Sequence, residues 1–233
     1  MSSVALIGSD GAGKTTIARL LLERSPVRFK FLYMGINLES SNVLLPSSRF
    51  IERVKRLLNK GLSTNAPVSA RRDPRKPSRR GTLWELARFA NRLAEEWYRQ
   101  VLSWAYQARG YTVLYDRHFL FDFYNVNPAD PRETGLLRRL HRRLLISCYP
   151  RPDLVVYLDA PPEVLFARKP EVPLPELEWR RQGFLRLTEV IPDRFVEIDA
   201  TRSVESVYQQ VAALISSLKR SSGAVGRARE QET

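Results

Sequence analysis

Gly8-Ser9-Asp10-Gly11-Ala12-Gly13-Lys14-Thr15 satisfies the spacing G-x-x-x-x-G-K-[ST], a pattern suited to chemistry on phosphates. Its glycines let backbone N–H groups curl around phosphate oxygens with no Cβ in the way, and a helix starting there adds a dipole that favours anions. The Lys14 ammonium would reach the β- and γ-phosphates, and the Thr15 hydroxyl would ligate Mg2+. Gly8 to Thr16 are therefore the expected ATP-binding residues: Gly8, Ser9, Asp10, Gly11, Ala12, Gly13, Lys14, Thr15 and Thr16. A glycine-rich turn that matches by chance is the competing reading.

A second acid stands where such a site needs one. Asp116 ends the run Thr-Val-Leu-Tyr-Asp and is followed by Arg117 and His118. Strand C-termini in an open parallel sheet face the ligand crevice, so Asp116 would touch the Mg2+ shell or the phosphoryl acceptor. Arg117 would hold an anionic group through its fork of N–H donors. Taken alone, Asp116 reads equally as a cap for the next turn, and His118 equally as a phosphate donor or a structural histidine.

The elements around these residues alternate short apolar runs with helical patterns, the rhythm of βαβ units and a parallel sheet. Strands are predicted at Val4–Ile7, Phe29–Met34, Val113–Tyr115, Asp153–Leu158 and Arg194–Ile198. The first leads into the phosphate loop, and the amphipathic run Thr15–Arg24 leaves it, which is the context the motif requires. Leu83–Ala108 is one long helix, and Val204–Leu218 carries apolar residues close to helical spacing. Residues 36–80 interrupt the rhythm after the second strand; they hold a basic helical pattern (Ser48–Asn59) and then a Pro/Arg/Ser-rich loop. Residues 220–233 read as a flexible tail.

With 233 residues, 43% of them hydrophobic, the chain suits one domain with a substantial core and is too apolar for a disordered basic protein. It contains no run of 18 apolar residues, which excludes a membrane-spanning helix, and its N-terminus lacks a signal-peptide pattern. One cysteine, Cys148, permits no internal disulfide and points to a reducing, cytoplasmic compartment, where it reads as a buried small hydrophobe. The net charge of +13 invites a nucleic-acid or polyanion partner, but it is local: residues 66–80 carry +5 and residues 138–143 carry +4. The second cluster reads as a solvated helix face flanked by leucines, and nucleic acid is not the expected partner. Trp97 and Trp104 on the long helix read as packing residues.

In combination these segments resemble thymidylate kinases. Gly8–Thr16 matches their G-x-D-G-x-G-K-T-T loop, Asp116-Arg117-His118 their D-R-[YH] motif, and Pro152–Glu163 their P-D-L-x-x-Y-L-D-x-P-P-E stretch. Gly183–Leu187 and Pro192–Ala200 resemble the closing helix and strand, and Leu86–Gln100 the helix that binds the acceptor. The likeness covers residues 1–35 and 84–219. It implies an α/β P-loop kinase fold, with a five-stranded parallel β-sheet flanked by helices, a short lid at about 168–181 and an insertion after the second strand. It also implies transfer of the γ-phosphoryl of Mg2+-bound ATP to a nucleoside monophosphate or similar small-molecule phosphate acceptor, by a homodimer.

Carried across by position, the resemblance places Asp10 against the acceptor sugar and Arg117 on its phosphate. Phe89 would stack on the acceptor base, and Arg92 would bind its phosphate or carbonyl. Thr15 and Asp116 would serve the metal. Arg168, Arg180 or Arg181 would be the lid arginine, a role the lid must fill because Ala12 stands where some members carry a loop arginine. The chain departs from the family after its second strand, where Gly35–Arg80 replaces an acceptor-binding R-E-P-G-G-T-like segment. That leaves a second acceptor class open, a hydroxyl of a nucleoside, sugar or specialised metabolite, for which Asp10 or Asp122 would be the fallback base. A more remote alternative is a nucleotide-dependent polyanion binder. Deoxynucleoside kinases, relatives of similar fold, place a Glu just after the second strand, whereas Gly35-Ile36-Asn37-Leu38 stands here with no acid before Glu39. That comparison favours the phosphorylated acceptor, and segment 66–80 is expected to extend its pocket.

Overall fold

The computed structural model describes residues 2–35, 79–122 and 136–230. Strands β1 (Ser2–Ile7), β2 (Phe29–Tyr33), β3 (Thr112–Asp116), β4 (Leu154–Asp159) and β5 (Phe195–Asp199) form one parallel sheet in the order β2-β3-β1-β4-β5. The helices between them are α1 (Lys14–Arg24), α2 (Arg79–Ala108), α3 (Phe119–Asp122), α4 (Leu136–Cys148), α5 (Pro162–Arg168), α6 (Leu174–Leu185), α7 (Leu187–Val190) and α8 (Val204–Glu230). This is the α/β class and strand number expected. The insertion after β2, with its predicted basic helix and the whole of segment 66–78, lies outside the described residues.

Alternation along β1 explains the layering, because successive side chains leave opposite faces of a sheet. Val4 and Leu6 join Ile17, Leu21, Val156, Val207 and Val211 in a core against α1 and α8. Ala5 and Ile7 join Leu32, Val113, Tyr115, Leu145, Val155 and Phe184 in a second core on the other face. β1 and β4 are buried at every position, as strands covered on both faces must be.

Beyond shifts of a few residues at element ends, the structure differs from the sequence reading in three places. Within the short lid expected at about 168–181, helix α6 starts at Leu174 with Pro173 and Pro175 at its entry, where a missing N–H costs nothing. The last helix was expected to end at Leu218 before a flexible tail; its backbone continues to Glu230. Cys148, expected to be buried, is exposed at the end of α4. In that helix the stripe Leu136, Leu140 and Leu144 is also exposed, and Leu145 is the leucine that enters the core.

Candidate active site

The loop between β1 and α1 is shaped by close backbone approaches. A Cβ on Gly8 would lie 2.7 Å from the Leu158 carbonyl oxygen, and one on Gly11 would lie 2.8 Å from the Leu165 carbonyl oxygen. Both glycines also adopt positive φ, 145° and 88°, so no other residue fits without strain. The loop is thus clamped against the ends of β4 and α5. The Ala12 N–H donates to the Ser9 carbonyl at 3.2 Å. Lys14 is buried, and its Nζ donates to the carbonyls of Gly8 and Ser9, each at 2.8 Å. The Ser9 hydroxyl is buried without a hydrogen-bond partner, while Thr15 and Thr16 stand at the start of α1.

Asp10 brings two arginines to this loop. Arg117 Nη2 donates to Asp10 Oδ1 at 2.7 Å, and Arg180 Nη1 lies 3.6 Å from Asp10 Oδ2. Burial pushes the Asp10 carboxyl up, but Arg117, Lys14, Arg180 and Lys169 more than offset it, so the group lies below the usual Asp range. Asp116 goes the other way: burial raises it, against the pull of Lys14 and Arg117, and Asp10 adds to the rise. Arg117 has φ 63°, an uncommon left-handed conformation for a side-chain-bearing residue, and its N–H donates to the Leu6 carbonyl. Such strain is typical of residues whose side chains must be aimed.

The other expected site residues are placed as follows. Phe89 meets the His141 ring edge-to-face at 5.8 Å. Arg92 is 3.5 Å from Glu96, and its Nη2 is buried without a hydrogen-bond partner. Arg168 is exposed on the last turn of α5. Arg181 does not reach the loop; it forms a two-pronged pair with Asp159. The lid arginines therefore divide, with Arg180 at the phosphate loop and the other two elsewhere. His118 is no phosphate donor: it is fully buried among Tyr115, Phe119, Phe121 and Tyr149, both ring nitrogens lack partners, and burial depresses its pKa to about 3.

Several polar residues of this region had no sequence signature. Arg99 is wholly buried, donates to the Gly35 carbonyl at the end of β2, and lies 4.0 Å from Glu95. His141 Nε2 sits 2.6 Å from Glu96 Oε2. Asp159 did carry a clue, being a strand-end acid like Asp116 and the second acid of the Pro152–Glu163 stretch. As for a metal, a hydroxyl (Thr15) and a carboxylate (Asp116) are oxygen donors of the kind Mg2+ takes. Among the described residues no group of three or more His, Cys, Asp or Glu is assembled, so a cation here would depend on substrate phosphate oxygens as well.

No protein-family model matches the chain. It is 26% identical to the thymidylate kinase of Lactobacillus helveticus (strain DPC 4571) over 224 residues, which is 91% of this chain and 94% of that protein. Over 112 residues, 46% of this chain and 55% of the other, it is 30% identical to the "probable thymidylate kinase" of Archaeoglobus fulgidus. A 77-residue stretch, 29% of this chain, is 32% identical to 37% of the thymidylate kinase of Burkholderia cenocepacia (strain HI2424). The chain is thus similar to thymidylate kinases over most of its length, and its five-stranded parallel sheet is an α/β architecture consistent with the P-loop kinase fold.

Proposed function

We propose that the protein transfers the terminal phosphoryl group of ATP to a nucleoside monophosphate, with thymidylate the first acceptor to test. The observation that carries this reading is the convergence of Lys14, Arg117 and Arg180 around Asp10 at the C-terminal end of the sheet. Phosphoryl transfer needs alignment and charge neutralisation more than covalent chemistry, and three cations on three different elements supply both. Lys14 and the loop N–H groups hold the donor phosphates, Arg117 holds the acceptor phosphate, and Arg180 stabilises charge on the group in transit. Thr15 and Asp116 would hold Mg2+, which when bound neutralises phosphate charge. Phe89 and Arg92 line the acceptor side.

No general base is required, because a phosphate acceptor is already largely ionised at neutral pH, its second pKa being about 6. A hydroxyl acceptor would need one, and Asp10, held below the usual Asp range by its arginines, is a weak base. That supports the phosphorylated acceptor. The test is coupled ADP release across a panel of nucleoside monophosphates with Lys14→Ala as control; turnover on hydroxyl compounds alone would overturn it.

We also propose a homodimer, in the cytoplasm. Large apolar side chains stay exposed at helical spacing on neighbouring helices, Trp97, Val101 and Trp104 on α2 and Leu136, Leu140 and Leu144 on α4, from 37% at Trp97 to 78% at Leu136. Contiguous apolar surface of this kind marks an interface more often than a solvated face. Among the described residues no helix is long and apolar enough to cross a membrane.

A further inference from the structure

We propose that Asp159 and Arg181 form a latch between the end of β4 and helix α6, and that this latch sets the neighbouring Arg180 at the phosphate loop. The role is one of positioning, and it rests on the phosphoryl-transfer reading above. Arg181 Nε donates to Asp159 Oδ1 at 2.9 Å and Nη2 donates to Oδ2 at 2.7 Å, a fork-to-fork pair with both direction and angle defined. The Tyr157 hydroxyl donates to Oδ1 at 2.7 Å, so the carboxylate is held from the sheet as well. Asp159 is 6% exposed, and its own carbonyl accepts from the Ala200 N–H at 2.7 Å. The acid is therefore a rigid anchor.

That anchor belongs to the same strand end as Leu158, whose carbonyl abuts Gly8. It shares a frame with the phosphate loop. Consecutive residues on a helix point about 100° apart, so pinning Arg181 to β4 fixes the direction in which Arg180 leaves α6. Arg180 itself is loosely held: it pairs with Glu176 one turn earlier on its own helix, and with Asp10 only at 3.6 Å. Apolar burial of α6 rests on Leu177 and Phe184, with Leu185 partly buried, and the two-pronged ion pair adds a directional restraint on its rotation. Stability alone accounts poorly for the pair, because it is only part-buried, the Arg181 side chain being 28% exposed, and such ion pairs add little net stability once solvent screening and desolvation are counted.

The test is a double-mutant cycle in steady-state kinetics on the full chain. Asp159→Asn, which keeps the size of the side chain, is expected to lower kcat by about 10- to 100-fold, the cost of a misplaced catalytic group, with circular dichroism confirming that the variant is folded. KM for ATP and acceptor should change by less than about threefold. In the Arg180→Ala background the same substitution should cost almost nothing further; a full additional loss would mean that the pair acts independently of Arg180, and would overturn the latch. Arg181→Lys, which keeps the charge and loses the fork, should behave like Asp159→Asn. A crystal structure of Asp159→Asn gives a readout that needs no turnover. The Arg180 guanidinium should have left Asp10 while β1 and β4 stay in place; Arg180 remaining within about 4 Å overturns the latch. Failure of the wild-type protein to phosphorylate any monophosphate would instead count against the kinase reading, with the crystal structure still deciding the latch.

Discussion

At Asp10 and Asp116 two carboxyls of one site are driven in opposite directions, and the signs give separable expectations. The Asp10 carboxyl is lowered in the fold, so its pairing contributes stability above the ordinary Asp pKa, a contribution lost as pH falls through the folded value. Asp10→Asn should therefore lower the thermal midpoint at pH 7, with the difference closing in acid. Asp116 is raised by burial, so its ionisation costs stability at neutral pH. Asp116→Asn should raise the midpoint at pH 7, the gain fading as pH falls through the raised folded value and gone by about pH 4, and should lower kcat at least about tenfold. Thermal melts from pH 3 to 8 with parallel ADP-release assays check both. Arg117→Lys retains charge but not the fork, and should raise acceptor KM by about tenfold while leaving ATP KM near the wild-type value.

The elements matter through their ends. β1, β3 and β4 each finish at a candidate site residue or a backbone that shapes one: the phosphate loop, Asp116-Arg117 and Asp159. α5 packs its backbone against Gly11, which gives an expectation belonging to the helix and loop together. Gly11→Ala places a Cβ 2.8 Å from the Leu165 carbonyl oxygen and forces a residue with φ 88° to carry a side chain. It should cost about 2 kcal/mol of stability or more and weaken ATP binding, read by denaturant unfolding and by titration calorimetry. The prolines of α6 show why its start was not legible: they interrupt a helix interior but suit the first turn, and sequence alone does not say which side of the boundary they occupy.

For the whole molecule, the exposed stripes of α2 and α4 should assemble. Val101→Glu or Leu140→Glu should convert a dimer to monomers in light scattering, with little loss of helical content by circular dichroism. A wild-type monomer at micromolar concentration would refute this. The arginines of α4 that made +4 of the net charge flank that apolar stripe, with Arg139, Arg142 and Arg143 exposed, so the charge cluster and the candidate interface share one helix.

What the sequence determined by itself was the parallel α/β arrangement and the local parts of the site. Gly8–Thr16 and Asp116-Arg117 are contiguous runs whose chemistry follows from near neighbours, and alternating apolar runs leave few ways to bury two sheet faces. Only the tertiary structure decided which arginine meets Asp10. Arg180 and Arg181 are adjacent and chemically identical in the sequence; the rotation of α6 sends one to the loop from β1 and the other to the end of β4. It likewise decided that His118 is an aromatic-core residue and that Cys148 is exposed, since burial is a property of what packs against a residue from distant parts of the chain. Charge pairing between elements more than a hundred residues apart, as in Arg117 with Asp10, leaves no local periodicity to read, and so had to be folded to be seen.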